Sequence, residues 1–501
     1  MSVWVGLGGV AGHACAAVAS RDEVLGVCEQ ERVTRVRAAG FNRSGLPDEA
    51  IDEILRRVGR QRTDVARVAL AENVARGSRL GQEEPLHYDH HFAHACTAFL
   101  TSPHESATIL VCDDEPPHTS VWSGDGSSVA RVEWEWRGPG FADLYSECAE
   151  AFGFSGPGRE QRLEALARFD SLGRDQRVTS LFGLEADRLR LAPGWRAELA
   201  SWTGTGALRP QVSVLASAIQ GHIDELLIEF LRAVRRRTSD TRCLCVGGSL
   251  FENSHFNSTI RTSGVFDEVF VPVNPGNAGL AVGTSLLASG PRRERVTPFL
   301  GPSYTAEEIK TTFDNCKLTY ESTSGGESVD VAVDALRKGQ LVAWVEGPME
   351  WGPRALGARS ILANPFAPYV LENLNRFLKQ REAWRGYALS ALDSAVTEHF
   401  HGPSASPFME CDYVPRDPRR FERILPAPRS ALRVQTVESH APPLFRTLIE
   451  KFGSVTGVPV VVNTSFNGFH EPIVCSPRDA VRVFFGTGID LLVFEGFLIR
   501  K

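Results

Sequence analysis

Two histidines one helical turn apart are the sharpest chemical feature of this chain. In HHFAHA, a helix would point His90 and His94 the same way, as two ligands of one metal ion must be, with His91 turned elsewhere. An isolated pair with this spacing is more often two ordinary surface or core histidines. Asp113 shifts that balance. It ends the apolar run ATILVC, where a carboxylate is costly unless it meets a cation or hydrogen-bond donors. Two imidazoles and one carboxylate, with positions left open, suit a divalent iron-like or zinc-like ion. The adjacent Asp114 reads as turn chemistry.

Three further groups could recognise anions. Glycine loops stand in GLGGVAGH, in VGGSLFEN (Gly247, Gly248, Asn253) and in VNPGNAGLAVG (Gly276). Each follows a predicted strand, and the last two open a helix, where free backbone amides favour phosphate. One such loop is a weak signal; three in succession favour a nucleotide or acyl-adenylate cleft. Arg354, Arg359, Lys379, Arg381 and Arg385 then crowd a stretch interleaved with Gly, Pro and Trp, beside the acids Glu350 and Glu382. Most basic runs are solvated helix faces, but this one lacks helical period and suits a shaped anion pocket. Last, the β-branched run in VVVNTSFNGFHEPIV ends on Asn463 and Ser465. Such an end could read an adenine or hold a phosphate, or form an ordinary Asx or Ser turn.

The elements needed to position these groups alternate along the chain. SVWVGLG, HACAAVAS and EVLGVCEQER read as strands, and LPDEAIDEILRRVG as an amphipathic helix. RVALAEN, ATILVCDDE and TSVWSGDG are further strands, residues 140–235 are mostly helical, and TRCLCVGG and FDEVFVPV are strands before glycine loops. SHFNSTIRTSG and LAVGTSLLAS read as helices. A linker is expected near residues 288–312; beyond it VDVAVDALRKG reads as helix and LVAWVEG as strand. A helix near 444–456, strand PVVVNTSF, helix PRDAVRVFFG and strand LLVFEGFLIR close the chain. Repeated strand, glycine loop and helix predict an α/β architecture with ligands at strand ends.

Length and composition bound the function. The 501 residues call for two or three domains, and 43% hydrophobic with 23% charged residues is ordinary for a globular enzyme. A net charge of −7 argues against a nucleic-acid partner. No apolar run is long enough to span a bilayer and the start lacks a basic segment, so a cytoplasmic protein with no membrane partner is expected. Ten cysteines without metal or disulfide spacing read as reduced core thiols. Lysine first occurs at position 310, arginine supplying every earlier basic residue.

Together these segments resemble the O-carbamoyltransferase family of the nodulation-factor, tobramycin and cephamycin carbamoyltransferases. The resemblance is densest in EQERVTRVR, HHFAHA, FADLYSECAEAFGF, GGSLFEN, NPGNAGLAVG, GPRALGARSILANP, KQREAWR and VNTSFN. It implies an actin-like ATPase (ASKHA) fold over residues 1–295, similar to the tRNA threonylcarbamoyl transferases, and a YrdC-like domain over 310–501. The YrdC-like domain would convert ATP, with Mg2+, and carbamoyl phosphate into carbamoyl-adenylate. Arg354, Lys379 and Arg385 match phosphate-binding positions, with Arg359 beside them, and Asn463 and Ser465 match nucleotide contacts. The first domain would pass the carbamoyl group to a hydroxylated small molecule. There His90, His94 and Asp113 match metal ligands, and His13 matches a histidine that deprotonates the acceptor. No motif encodes the acceptor, and a homodimer is the assembly expected.

The chain departs from the family pattern mainly in its first half. Asn277 stands where an aspartate ligand is usual, Asp114 where glycine is usual, and Ala14 where aspartate follows the histidine. Arg162-Leu163-Glu164-Ala165-Leu166-Ala167 replaces a lysine with Met-Gly-Leu-Ala, and Gly386-Tyr387-Ala388-Leu389 replaces Pro-Phe-Ala-Pro. An amide oxygen ligates without charge, so a less tightly held metal is expected. The alternatives are a nitrogen or other acceptor, a different acyl donor, or a nucleotide-binding relative without turnover.

Overall fold

The computed structural model describes residues 2–71, 80, 82–169, 173–186, 188–203, 210–238, 241–428 and 430–501. The fold is mixed α/β and divides into two compact units. The first comprises Met1–Gln30 and Ala38–Thr297, the second Glu31–Arg37 and Pro298–Lys501. Among the described residues no helix is long and apolar enough to cross a membrane.

Two five-stranded sheets build the first unit. In one, Val3–Gly8 pairs antiparallel with Cys15–Ala19 and parallel with Val65–Leu70, flanked by Val24–Glu29 and Leu86–His87. Helix Leu280–Ser289 lies against Val3–Gly8. A Cβ on Gly6 would sit 2.1 Å from the Ala281 carbonyl oxygen and one on Gly8 2.5 Å from Leu280 Cβ. These glycines of GLGGVAGH therefore serve helix–sheet packing. In the other sheet, Ser106–Cys112 lies between the parallel strand Cys243–Gly247 and the antiparallel strand Thr119–Asp125, with Glu268–Phe270 and Ser128–Arg131 at the edges. Strands 106–112 and 243–247 end side by side, bringing Asp113 and Gly248 together.

Among the described residues, the stretch from 140 carries helices Phe141–Ala151, Arg159–Phe169, Val178–Leu181, Trp195–Thr203 and Pro210–Arg237. It also carries a hairpin that the helical pattern conceals, Phe182–Glu185 against Arg188–Leu191. Residues 170–172, 187 and 204–209 of that stretch, and 72–73 of RVALAEN, lie outside the described residues. The strand expected over FDEVFVPV narrows to Glu268–Phe270.

A ten-stranded sheet forms the second unit. Its central strands alternate between two buried faces. Val342, Trp344, Leu362, Val461 and Val493 enter one core, and Ala343, Val345, Ile361, Val462 and Leu492 the other. Helices Gly325–Arg337 and Pro443–Thr456 join the first core. A π-helix, Asn373–Leu378, ends at Lys379. EVLGVCEQER is not one strand: the ladder stops at Glu29 and Gln30–Thr34 turns helical. The Arg32 guanidinium donates to the Gly352 carbonyl at 2.9 Å, and Arg35 to those of Ile473 (2.5 Å) and Pro472 (2.7 Å). Seven residues from the N-terminal sequence are thereby built into the C-terminal unit.

Candidate functional site

Helix His90–Leu100 starts where Asp89 accepts from the Phe92 amide at 2.8 Å, a side-chain cap that fixes its first turn. His90 and His94 project one turn apart with their Nε2 atoms 3.1 Å from each other. Asp113 meets them from the end of strand Ser106–Cys112. Its Oδ2 lies 3.0 Å from His94 Nε2 and its Oδ1 3.8 Å from His90 Nε2. Asp113 and His94 are buried. Burial opposes ionisation of Asp113, but His94 and His90, with the Asp114 contact, hold its carboxyl well below the ordinary range. Asp114 is correspondingly pushed up to about 8, by its hydrogen bond to Asp113, by burial and by the neighbouring charge.

Backbone amides complete the shell. Asp113 Oδ1 accepts from Asp114 N at 2.7 Å, and Oδ2 from Ser249 N at 3.0 Å. Gly248, at φ +100, allows that approach: a Cβ there would lie 2.1 Å from the Cys112 carbonyl oxygen. A Cβ on Gly247 would meet the His94 carbonyl oxygen at 3.1 Å. Both glycines thus serve close packing behind the histidine–aspartate cluster.

His91 is turned away from the cluster. Its Nε2 lies 2.9 Å from the Glu115 carbonyl oxygen, so that nitrogen carries the proton, and Nδ1 accepts from the Ser120 hydroxyl at 2.7 Å. Burial pushes it down to about 4, a neutral structural imidazole.

Asn277 opens the turn Asn277–Gly279, which packs on the same helix through a Thr97 hydroxyl bond to the Gly279 carbonyl at 3.1 Å. Its Oδ1 is buried without a hydrogen-bond partner. The two imidazoles and one carboxylate, with ligand atoms within 4.8 Å of one another, fit a divalent cation, and the orphaned Asn277 oxygen sits in a turn packed on the same helix. Gly276 donates to Asn274 Oδ1 at 2.9 Å, and a Cβ there would lie 2.4 Å from Glu252 Oε1. His13 is exposed at φ +60 in the turn between strands Val3–Gly8 and Cys15–Ala19, and its amide donates to Ala38 O at 3.3 Å.

The helix opening expected to take phosphate after GGSLFEN is already filled. Asn253 caps helix Ser254–Thr262 by accepting from His255 N at 2.9 Å. Glu164, buried, accepts from Ser254 N at 2.9 Å and pairs with Arg168. An internal carboxylate therefore meets the positive helix end, and Asn253 is a capping residue. Only its place within the variant Arg162–Ala167 stretch marked Glu164 in the sequence.

In the C-terminal unit two separately predicted groups meet. Lys379 is buried, and its Nζ donates to the Ser465 carbonyl at 2.5 Å, the Asn467 carbonyl at 3.2 Å and Asn467 Oδ1. The Ser465 hydroxyl donates to Asn467 Oδ1 at 2.8 Å. Burial, with Arg381 and Arg385 nearby, pushes the Lys379 ammonium well below its ordinary value. Arg381 stacks on Tyr387, 4.0 Å from the ring centre, and Arg385 lies 3.9 Å from Glu382. Asn463 Nδ2 donates to Ala355 O at 3.1 Å, the residue after half-buried Arg354, and its buried Oδ1 has no partner.

Arg359 plays a different part from the anion binder expected of it. It is 1% exposed and donates to the carbonyls of Gly347 (3.0 Å), Ala358 (2.9 Å) and Pro302 (3.2 Å). Those bonds commit its guanidinium to holding backbone. Glu350 has a matching role that the sequence did not reveal: its Oε1 accepts from Leu356, Ala358 and Arg359 amides at 2.7–3.3 Å, tying down the GPRALGARS loop.

Known proteins share this arrangement of sequence. Residues 65–286 match the family model described as Carbamoyltransferase N-terminus, and residues 333–501 the one described as Carbamoyltransferase C-terminus. The chain is 28% identical to nodulation protein NolO of Bradyrhizobium diazoefficiens, covering 82% of this chain and 79% of NolO. It is also 28% identical to the 3'-hydroxymethylcephem-O-carbamoyltransferase of Amycolatopsis lactamdurans, over 82% and 83% of the two chains. An uncharacterised Synechocystis protein is 30% identical over 83% of this chain and 76% of its own. With both halves matched in order across most of its length, the chain belongs to the O-carbamoyltransferase family and is an enzyme of that type.

Proposed function

We propose that the C-terminal unit, a YrdC-like domain, makes carbamoyl-adenylate, and that the N-terminal unit, an actin-like ATPase fold, transfers the carbamoyl group to a hydroxyl of a small molecule. Carbamoyl phosphate and ATP with Mg2+ are the co-substrates; the acceptor belongs to the natural-product class. In the first step carbamoyl phosphate gives up its phosphate to water, an oxygen of the resulting carbamate attacks the α-phosphorus of ATP, and pyrophosphate leaves. The carbamoyl carbon then carries AMP, a far better leaving group than hydroxide. Arg354 and Arg385 supply the positive field for the phosphates, Lys379 orders the Ser465–Asn467 backbone beside them, and Asn463 and Ser465 contact the nucleotide. The observation that carries this reading is that Lys379, with Arg385 nearby, meets Ser465 and Asn467 at the end of strand Val460–Ser465.

In the second step the acceptor oxygen attacks the carbamoyl carbon, AMP departs, and the hydroxyl proton goes to His13. His90, His94 and Asp113, with Asn277 as a neutral fourth donor, would hold a divalent, iron-like ion. Such an ion supplies Lewis-acid stabilisation of negative charge developing on oxygen. Gly247, Gly248 and Gly276 keep the surrounding backbone close to these donors. Exchange of labelled pyrophosphate into ATP, dependent on carbamoyl phosphate, tests the first step in the full chain. Exchange is expected; its absence would overturn the reading in favour of a nucleotide binder without turnover.

A further inference from the structure

The sheet that carries Asp113 has a second cluster of metal-ligating side chains at its opposite end. His104 stands just before strand Ser106–Cys112, Cys243 is the first residue of the neighbouring strand Cys243–Gly247, and Glu268 is the first of the edge strand Glu268–Phe270. Cys243 and Glu268 are direct partners in the parallel ladder, and Leu244 pairs with Thr108. The three side chains thus come from three adjacent strand starts. One ligand atom from each lies within 4.8 Å of the others, and His104 Nδ1 is 3.5 Å from Glu268 Oε2.

We propose that His104, Cys243 and Glu268 form a second divalent-cation site, for a zinc-class ion. The imidazole is 9% exposed and held in place, the thiol is half-buried, and the carboxylate is at the surface. This graded exposure gives an ion a route in while two of its ligands stay pre-positioned. A nitrogen, a sulfur and an oxygen donor supply three of the four ligands of a tetrahedral ion, leaving a fourth position for water. Thiolate and carboxylate together balance the charge of a divalent ion. The ligand set differs in kind from the first cluster, since sulfur favours zinc or a similar thiophilic metal.

The two clusters are separate sites. Strand Ser106–Cys112 has seven residues between them, about 20 Å at the usual rise per residue. The second site therefore takes no part in chemistry at Asp113. Its place at the start of a three-residue edge strand gives it a structural role. A bound ion would pin Glu268–Phe270 to the sheet, where three residues of ladder alone give little hold.

Cobalt(II) is the probe that distinguishes the clusters, because only the second offers a thiolate. Full-length protein carrying Cys316→Ser, which removes the exposed cysteine, is titrated with cobalt. A thiolate-to-cobalt charge-transfer band is expected, saturating at one equivalent per chain. It should survive in His90→Ala and disappear in Cys243→Ser, with His104→Gln as a second variant should the first fail to fold. A missing band in the parent protein, or an undiminished band in a folded Cys243→Ser or His104→Gln, overturns the proposal.

Discussion

At the residue scale, the first cluster is a set of groups that could hold a metal ion. Asp113 is buried against two imidazoles, and the fourth donor proposed for the site, Asn277, would bring an oxygen without charge. Replacing Asn277 by Asp adds one negative charge to the donor set. We expect Asn277→Asp to hold a divalent metal roughly tenfold tighter or more, tenfold being about 1.4 kcal/mol, as read by competition with a chelator. Unchanged affinity would remove Asn277 from the site. His94→Ala is expected to cut carbamoyl transfer by roughly a hundredfold while leaving pyrophosphate exchange intact, separating the two half-reactions. Equal loss of both would show that the cluster does not belong to transfer alone. His90, His94 and Asp113 are legible because spacing and an out-of-place carboxylate both signal chemistry. Arg359 and Asn253 mislead for one physical reason: the Arg359 terminal nitrogens and the Asn253 side-chain oxygen are already engaged with backbone groups, and sequence does not show which donors and acceptors a fold has already used.

Elements position these residues through a few tight contacts. Gly248 is one: its positive φ, and the 2.1 Å that would separate an added Cβ from Cys112 O, leave no room for a side chain. Gly248→Ala should cost about 3 kcal/mol or more in urea unfolding, from backbone strain and overlap together; a loss under about 1 kcal/mol would contradict the packing. The start of helix Pro443–Thr456 is another. Glu346 accepts from the Leu444 and Phe445 amides at 2.8 Å, yet burial outweighs them and pushes its carboxyl up to about 7. A carboxyl raised on folding binds protons more readily in the native state. Its stabilisation is therefore full below the unfolded value near 4.5 and is lost as pH rises through about 7. We expect Glu346→Gln to flatten the fall in unfolding free energy between pH 5 and 8 by roughly 2–3 kcal/mol. Matching slopes in parent and variant would exclude Glu346. Strands and helices with clear period are legible in the sequence; the hairpin 182–191 and the π-helix 373–378 are not. Both depend on long-range packing rather than on local pattern.

Across the whole molecule, the division into two units falls between Thr297 and Pro298, with one exception that no composition shift announces. EVLGVCEQER reads as one strand, yet Glu31–Arg37 belongs to the C-terminal unit. Arg35 holds the carbonyls of Pro472 and Ile473, just beyond the Asn467 that receives Lys379. Arg35→Ala should loosen that loop by about 1–3 kcal/mol and, if the C-terminal unit forms the adenylate as proposed, lower pyrophosphate exchange accordingly, although residue 35 lies far from that unit in sequence. Unaltered exchange would detach the segment from the nucleotide site.

The same seven residues impose an order of events on synthesis. Arg35 leaves the ribosome early, but the carbonyl of Ile473 that it must bind lies 438 positions later. The N-terminal sheets can close as soon as residue 297 has emerged, while the 31–37 segment must wait beside its own strand until the last part of the chain appears. The C-terminal unit thus completes its contacts only by recovering a piece of chain made 438 residues before Ile473. A gene cut between the units would sever that piece from its destination, so the halves cannot be exchanged between relatives as independent cassettes unless residues 31–37 travel with the C-terminal half.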